Sequence, residues 1–436
     1  MPWSTRLSTK HQQRDNITRL TGKTLSLICN HWNRSTRSLL SNGSSGMLVS
    51  LGQVRQVLGM RFSRFMVVVG CVLAFAKAAA QQALHEKTFR DWDKNKDGKL
   101  FKSELPQQVK RNFERVDADK SGFISLKEHV DFLTRNSNAR NQNAKDWSGF
   151  KVIRDIRYAG TDHERQSLNF ALPLKRKSNK PLPVIAYIHG GAWRAGNKNG
   201  GLNRLHEFLK SGEFAGVTIG YRLSQHAKWP AQIHDCKAAI RWIKANAKKY
   251  NLNGSRIAVH GTSAGGHLVA MLGTSAGVAK LDGLLGPYTE QSTTVRCVID
   301  CFGPTNFLRM NDFEGRIDHD AVDSPESQLI GEAIQENKKL TLAANPISYV
   351  NKGDAPFLII HGTKDMSVPY NQSVMLHKAL NAACVPSVFL SVKGGGHGGS
   401  GGVLVERFRT FLDHYLLNKE GVVSDESIPV EKISRR

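Results

Sequence analysis

Long apolar runs are missing from this 436-residue chain. Its most hydrophobic stretch, Phe65 to Phe75, falls short of the about 20 apolar residues that a membrane-spanning helix requires, which excludes a stable membrane span. Cysteine is scarce at six residues and shows no metal-ligand spacing, which excludes a cysteine-built metal centre. Cys297 and Cys301 flank a strand, and four extended residues separate them by about 13 Å, too far for a disulfide. They read, with Cys236 and Cys384, as mostly buried small hydrophobes. Acidic residues are outnumbered, 37 against 61 Lys and Arg, for a formal charge of +24. The excess is uneven, because beyond residue 80 there remain 50 basic and 36 acidic residues, a net of +14. These charges are dispersed, without the aromatic interleaving of a nucleic-acid surface, so no nucleic acid is expected as a partner. Solvation or contact with an acidic polysaccharide accounts for them equally.

Glycine is plentiful where it matters most. Residues 261–266 read Gly-Thr-Ser-Ala-Gly-Gly, between an apolar run (Ile257, Ala258, Val259) and a helix-like stretch from His267 to Leu272. A G-x-S-x-G in a strand–turn–helix setting is a nucleophile elbow. Its glycines leave room for a sharp turn that lifts the Ser263 hydroxyl clear of the backbone, toward the positive end of the following helix.

Three further features fall in the order this chemistry needs. Val184 to Ile188 reads as a buried strand leading into His189-Gly190-Gly191-Ala192-Trp193, roughly 70 residues before the elbow. The N–H groups of Gly190, Gly191 and Ala264 are the expected oxyanion hole, each donor being worth about 3 kcal/mol in the transition state. Pro356 to Ile360 is another buried strand, and Asp365 stands just past its carboxyl end, where functional residues of open α/β sheets collect. Val388-Phe389-Leu390 then leads to Gly394-Gly395-Gly396-His397-Gly398-Gly399. A histidine inside so glycine-rich a loop has little to pack against. Ser263, Asp365 and His397 therefore read as nucleophile, orienting acid and general base. Asp300, at the end of the strand Val298-Ile299, is the alternative acid. His377 and His414 lie on amphipathic helical stretches and read as surface residues. His361, at a strand end, is within reach of the site but reads as structural.

From about Asp146 to Leu417 the chain resembles the hormone-sensitive-lipase-like branch of α/β-hydrolases, in particular its feruloyl-esterase-like and carbohydrate acyl esterase members. The likeness is carried by HGGAW at 189–193, YRLS at 221–224, PAQIHDCKAAIRW at 230–242, GTSAGGHL at 261–268, FGPTNF at 302–307 and PFLIIHGTKD at 356–365. It implies a mostly parallel sheet with helices on both faces, and carboxylic-ester hydrolysis through an acyl-enzyme without a catalytic cofactor. The implied substrates are small acyl esters or acylated polysaccharides. Thr262 stands where many relatives carry Gly or Asp, a change at the rim of the site. A related-fold peptidase is the nearest alternative, and it would need an acidic pair to hold a substrate amine. A catalytically silent, calcium-dependent adhesion protein is the alternative from another class.

A second motif precedes this region. Residues 93–104 match D-x-[DN]-x-[DN]-G-x5-E, the EF-hand calcium loop, at every defined position. Side-chain oxygens of Asp93, Asn95 and Asp97, the backbone carbonyl of Lys99 and the carboxylate of Glu104 are the expected ligands. A second copy begins 24 residues later with Asp117, Asp119, Ser121, the carbonyl of Phe123, and Glu128. Two such loops satisfy the hard-oxygen coordination that calcium requires. A structural role for the ion is expected, because no methionine falls in 81–140 to build a sensor groove. A dockerin-like anchoring role is opposed by the terminal Glu and the short repeat.

The remaining organisation follows from composition. Met60-Arg61-Phe62-Ser63-Arg64, an apolar core and Ala76-Lys77-Ala78-Ala79-Ala80 describe a signal peptide over 60–80, so a secreted or periplasmic location is expected. Val68-Val69-Gly70-Cys71 offers lipidation as a lesser alternative. Residues 1–59, rich in Ser, Thr and Asn with eight basic and one acidic residue, read as an over-extended or disordered start. An all-α EF-hand pair is expected over 85–135, a linker over 136–147, and an α/β domain over 148–418 with a cap at about 306–345. The last residues, 419–436, read as a polar tail.

Overall fold

The computed structural model describes residues 80–106, 109–142, 145–399 and 401–433. The expected leader and the segment before it thus lie outside the described residues, apart from Ala80. The chain divides into a first compact unit ending at Asn143 and a second beginning at Ala144.

The first unit is built around a small core of Phe89, Leu100, Leu105, Phe113, Val116 and Ile124. Its two acidic loops each contain a two-residue strand, β1 (Lys99–Leu100) and β2 (Ile124–Ser125). These pair antiparallel with Leu100 opposite Ile124, which buries both apolar side chains between the loops. The loops repeat the same backbone device. Gly98 and Gly122 sit at φ of 78° and 85°, left-handed values that favour glycine, and each N–H bonds back to the first aspartate of its loop, Asp93 or Asp117, at 3.0 Å. The helix Leu126–Gln142 closes the unit. This corrects the linker expected from residue 136, because the helix continues to Gln142. Once nucleated on packed residues a helix gains one hydrogen bond per added residue, and Arg and Gln propagate it readily.

The second unit is a nine-stranded sheet ordered β11-β10-β9-β8-β7-β5-β6-β4-β3. The strands are β3 (Phe150–Arg157), β4 (Ser167–Pro173), β5 (Leu182–Ile188), β6 (Ala215–Ile219), β7 (Leu252–Thr262), β8 (Cys297–Cys301), β9 (Phe357–Gly362), β10 (Ser387–Lys393) and β11 (Glu426–Pro429). From β6 to β11 all neighbours are parallel, and only the β3–β4 and β4–β6 pairs run antiparallel. Parallel strands covered on both faces are continuous apolar runs, and their side chains alternate between the two cores. Val184, Ala186 and Ile188 of β5 pack with Phe357 and Ile359 of β9 on one face; Ile185, Tyr187, Leu358 and Ile360 pack on the other. The helices Ala231–Ala245 and Ala264–Thr274 cover the first face, and Gly201–Leu209 and Val403–Leu417 cover the second.

The expected polar tail is a second correction. β11 adds to the sheet edge parallel to β10, Leu390 opposite Glu426, and Asp425 Oδ1 accepts from the Phe389 N–H at 2.7 Å. Val423, Ile428 and Ile433 are buried there, spaced too widely among polar residues to stand out as a strand in the sequence. Removing everything after Asn418 should therefore lower the thermal midpoint by about 5 °C or more, since each such side chain contributes about 1.5–3 kcal/mol. Scanning calorimetry of the truncated chain checks this, and an unchanged midpoint would return the segment to tail status.

Candidate active site

Every candidate residue leaves the sheet at the carboxyl end of a strand. The 189–193 loop follows β5, Ser263 follows β7, Asp365 follows β9 and His397 follows β10. In a parallel sheet these ends share one edge, so positions over two hundred residues apart converge.

The elbow is as tight as its glycines allow. Ser263 has φ 56° and ψ −125°, and its N–H is pinned to the Cys301 carbonyl at 2.9 Å. A Cβ on Gly265 would lie 2.2 Å from the Ile188 carbonyl oxygen. One on Gly190 would lie 2.6 Å from the Thr262 oxygen and 3.2 Å from Ser263 Cβ. The HGG loop and the elbow are thus packed backbone against backbone. Gly190, Gly191 and Ala264 line the same cavity as Ser263, and the N–H groups of the two glycines have no backbone acceptor among the described residues.

The three candidate side chains form a continuous hydrogen-bonded chain. His397 Nε2 lies 3.0 Å from Ser263 Oγ, and His397 Nδ1 lies 2.6 Å from Asp365 Oδ2. Because an ionised carboxylate only accepts, Nδ1 carries the proton and Nε2 presents its lone pair to the hydroxyl. Asp365 is itself held at both oxygens. Oδ1 accepts from the N–H groups of Ser367 (2.8 Å) and Val368 (3.0 Å), and Oδ2 lies 3.2 Å from His361 Nε2 as well. Burial alone would raise its pKa, yet hydrogen bonds from His361 and His397 outweigh that and hold it well below the usual carboxylate range.

His361 is thus more than the structural strand-end residue its context suggested. It is fully buried, its Nδ1 lies 2.7 Å from Ser373 Oγ, and its Nε2 lies 2.9 Å from the Val368 carbonyl, which can only accept. A neutral Nε2–H imidazole satisfies all these partners while bracing the acid. Its place four residues before Asp365 was the one available signal. Phe302, edge-on to His397 at 4.8 Å between ring centroids, fixes the other side of the base.

Asp300 is not brought to His397. Its Oδ1 accepts from the Gly303 N–H beneath the elbow helix, and burial pushes its carboxyl up to about 7. A Cβ on Gly266 would meet that oxygen at 2.3 Å, so Asp300 belongs to the close packing under the nucleophile. His377 is half-buried against Ser387 and His414 is exposed; neither reaches the site. His267 emerged only from the structure. Fully buried, it accepts from Trp193 Nε1 at 3.2 Å and donates to the Ala344 carbonyl at 2.7 Å, tying the elbow helix to the HGGAW loop and to the end of the 306–345 segment. Burial lowers its pKa to about 4, so it serves as a neutral brace.

The cavity over Ser263 measures 770 Å³. Thr262 lies on its rim with its hydroxyl bonded to that of Tyr187 at 3.0 Å, and Ile317, His319, Pro325 and Glu326 of the 306–345 segment complete its wall. In the first unit, oxygens of Asp117, Asp119 and Glu128 lie within 4.8 Å of one another, and Glu128 Oε1 reaches back to the N–H groups of Ala118 and Asp119. Ser121 Oγ donates to the Phe123 carbonyl. Asp93, Asn95, Asp97, Lys99 and Glu104 are less gathered. Asn95 Nδ2 donates to Asp97, Glu104 accepts from the Phe101 N–H, and Asp93 Oδ1 is buried without a partner.

Comparison with known proteins agrees with this geometry. The BD-FAE family model matches residues 168–380, and a TAP-like protein model matches 339–424. Esterase LipC of Mycobacterium tuberculosis is 32% identical over 228 residues, 51% of this chain and 55% of its own. The chain spans about half the length of the curated relatives it matches. A solved truncated carbohydrate esterase from gut microbiota is 32% identical with a TM-score of 0.58, covering 63% of this chain and 99% of that one. A bifunctional GH43-CE protein of Bacteroides eggerthii is 36% identical with a TM-score of 0.56, covering 62% of this chain and 38% of that one. With the strand order, the elbow and these matches in hand, the second unit is a carboxylic ester hydrolase, and the chain belongs to the α/β-hydrolase esterases.

Proposed function

We propose that this protein is an exported serine esterase that removes acyl groups, such as acetyl or feruloyl, from polysaccharides, and that its first unit is an EF-hand pair binding calcium. The observation that carries the catalytic part is the unbroken chain Ser263 Oγ, His397 Nε2, His397 Nδ1, Asp365 Oδ2. Ser263 Oγ attacks the ester carbonyl as its proton passes to His397 Nε2. The carbonyl oxygen becomes an oxyanion opposite the N–H groups of Gly190, Gly191 and Ala264, and Asp365 stabilises the imidazolium. The imidazolium then protonates the departing alkoxide. Water, deprotonated by the same nitrogen, releases the acid and restores Ser263. A silent binding protein would have no need of this preserved alignment. The polysaccharide part rests on the carbohydrate esterase names of the 32% and 36% identical structures. Acetate release from acetylated xylan, ferulate release from methyl ferulate and hydrolysis of p-nitrophenyl esters of rising chain length test it. Turnover of the nitrophenyl esters alone would discard the polysaccharide assignment.

Calcium fits the residues present. Asp117, Asp119 and Glu128 offer three convergent carboxylates, and the buried, unpartnered Asp93 Oδ1 is the kind of oxygen a cation satisfies. With Ser121 and the Phe123 carbonyl in the second loop, and Asn95, Asp97, Glu104 and the Lys99 carbonyl in the first, hard oxygens are available in the number calcium takes. The ion would add stiffness to a unit whose own core is small. Isothermal titration should show binding at or below millimolar calcium, and Glu128→Gln should weaken the second site by at least about tenfold. Absence of heat at millimolar calcium removes the module's assignment.

A further inference from the structure

The catalytic cavity contains polar groups that the acyl-transfer steps leave unused. Glu326, at the start of the helix Pro325–Ile330, is 3% exposed and lines the cavity, where it is the one carboxylate among the described residues. His319, 2% exposed and also in the wall, approaches Glu326 Oε2 through Nδ1 at 2.9 Å. The His319 N–H is in turn held by Asn311 Oδ1 at 2.9 Å. This arrangement leaves His319 Nε2 buried without a partner, whereas the second carboxylate oxygen of Glu326 takes no hydrogen bond among the described residues and is open to the cavity. A carboxylate oxygen open to the cavity keeps its acceptor capacity for a donor that enters with the substrate. Arg204, which also lines the cavity, forms no ion pair among the described residues, its guanidinium resting 5.6 Å from the Tyr187 ring centroid.

We propose that Glu326, anchored by His319, is a specificity-determining acceptor for a hydroxyl group of the substrate, which makes esters of polyhydroxylated compounds the preferred class. The proposal rests on the esterase reading and narrows it. A hydroxyl donates one hydrogen bond, which one free carboxylate oxygen accepts. An ammonium group would require several acceptors and would share the cavity with the unpaired Arg204. A carboxylate ligand would be repelled by Glu326. A neutral ligand rich in hydroxyls suits a wall with one anion and one cation. The hydroxyl can stand on the alcohol side of the ester, as in a sugar, or on the acyl side, as in a phenolic acid. His319 is a positioning residue, since it acts by holding the carboxylate.

The test compares matched esters. kcat/KM is measured for acetylated methyl xyloside against cyclohexyl acetate, and for methyl ferulate against the corresponding ester without its phenolic hydroxyl. The wild type should favour the hydroxylated member of at least one pair by about tenfold or more. The xyloside pair assigns the hydroxyl to the alcohol side, and the ferulate pair assigns it to the acyl side. Glu326→Gln places an N–H2 where the open oxygen stood and should bring that ratio close to one, with the loss in KM rather than kcat. His319→Phe should do the same, and His319→Asn, which keeps an N–H donor near the Nδ1 position, should restore part of it. Inhibition of the wild type gives a readout that needs no variant: methyl xyloside should compete better than cyclohexanol, or ferulamide better than 3-methoxycinnamamide. Equal ratios in wild type and folded variants overturn the proposal while leaving the esterase intact. A wild-type preference for acetylcholine over 3,3-dimethylbutyl acetate also overturns it, because it marks a cation site. No turnover of any ester by the wild type removes the underlying reading itself.

Discussion

Ser263→Ala is expected to lower kcat on p-nitrophenyl acetate by about 10⁴- to 10⁶-fold with little change in KM, the size of effect seen when a triad nucleophile is deleted. Only the attacking oxygen is lost, and the cavity wall and oxyanion amides stay. The fold should not suffer, since alanine is held at the same φ of 56° as serine. Ser263→Gly separates strain from chemistry. A non-glycine residue in such backbone costs about 1–3 kcal/mol, so the glycine variant should be as inactive as the alanine variant yet melt higher. Active-site titration and calorimetry on the two variants decide the matter. Equal turnover by wild type and Ser263→Ala would falsify the nucleophile assignment outright.

Asp365→Asn should cost about 10³- to 10⁴-fold in kcat, through the tautomer of the base rather than through charge alone. Oδ1 accepts from the N–H groups of Ser367 and Val368, so the amide oxygen of asparagine must take that side. Its N–H2 then faces His397 Nδ1 and His361 Nε2, both of which carry protons in the wild type. To relieve the clash of donors His397 moves its proton to Nε2, and the lone pair that should deprotonate Ser263 disappears. The pH behaviour follows from the same contacts. Asp365 has a folded pKa below its unfolded value, so its contribution to stability is present above about pH 4, the unfolded range, and is lost as the pH falls through the folded value. The carboxylate therefore stays charged across the working range. In Asp365→Asn, stability between pH 5 and 3 should decline less than in the wild type. A steeper decline would show that Asp365 is not the stabilised anion described above.

Much of the site was legible because its signals are local. A G-x-S-x-G after an apolar run has few other uses, and the glycines at 190, 261 and 265 are needed where a Cβ would strike backbone at 2.1–2.6 Å. His397 stood out because its loop offered no packing partner. The buried strands β5, β8 and β9 were visible as continuous apolar runs. β11 was not, because an edge strand contributes only alternate side chains to a core and Val423, Ile428 and Ile433 are scattered among charged neighbours. The start of the linker was misplaced for the opposite reason. Arg-, Asn- and Gln-rich chain has no apolar face to announce a helix, but it extends one that packing has already started.

The residues missed were those whose role depends on a neighbour distant in the chain. His267 touches Trp193 and Ala344, 74 and 77 positions away. Nothing within its own segment marks it as a brace. Glu326 and His319 are two polar residues on a loop-rich stretch until folding buries them side by side in the cavity wall.

The amino-acid order alone pointed to the layered α/β architecture and to the candidate nucleophile, base and acid, because continuous apolar runs and glycine-strained turns obey short-range sterics. Which groups brace that acid, which carboxylate shares the cavity with the ester, and how the sheet ends were decided only by the tertiary structure. Those features depend on burial and on hydrogen bonds between remote segments, and a one-dimensional pattern holds neither distance nor solvent exposure.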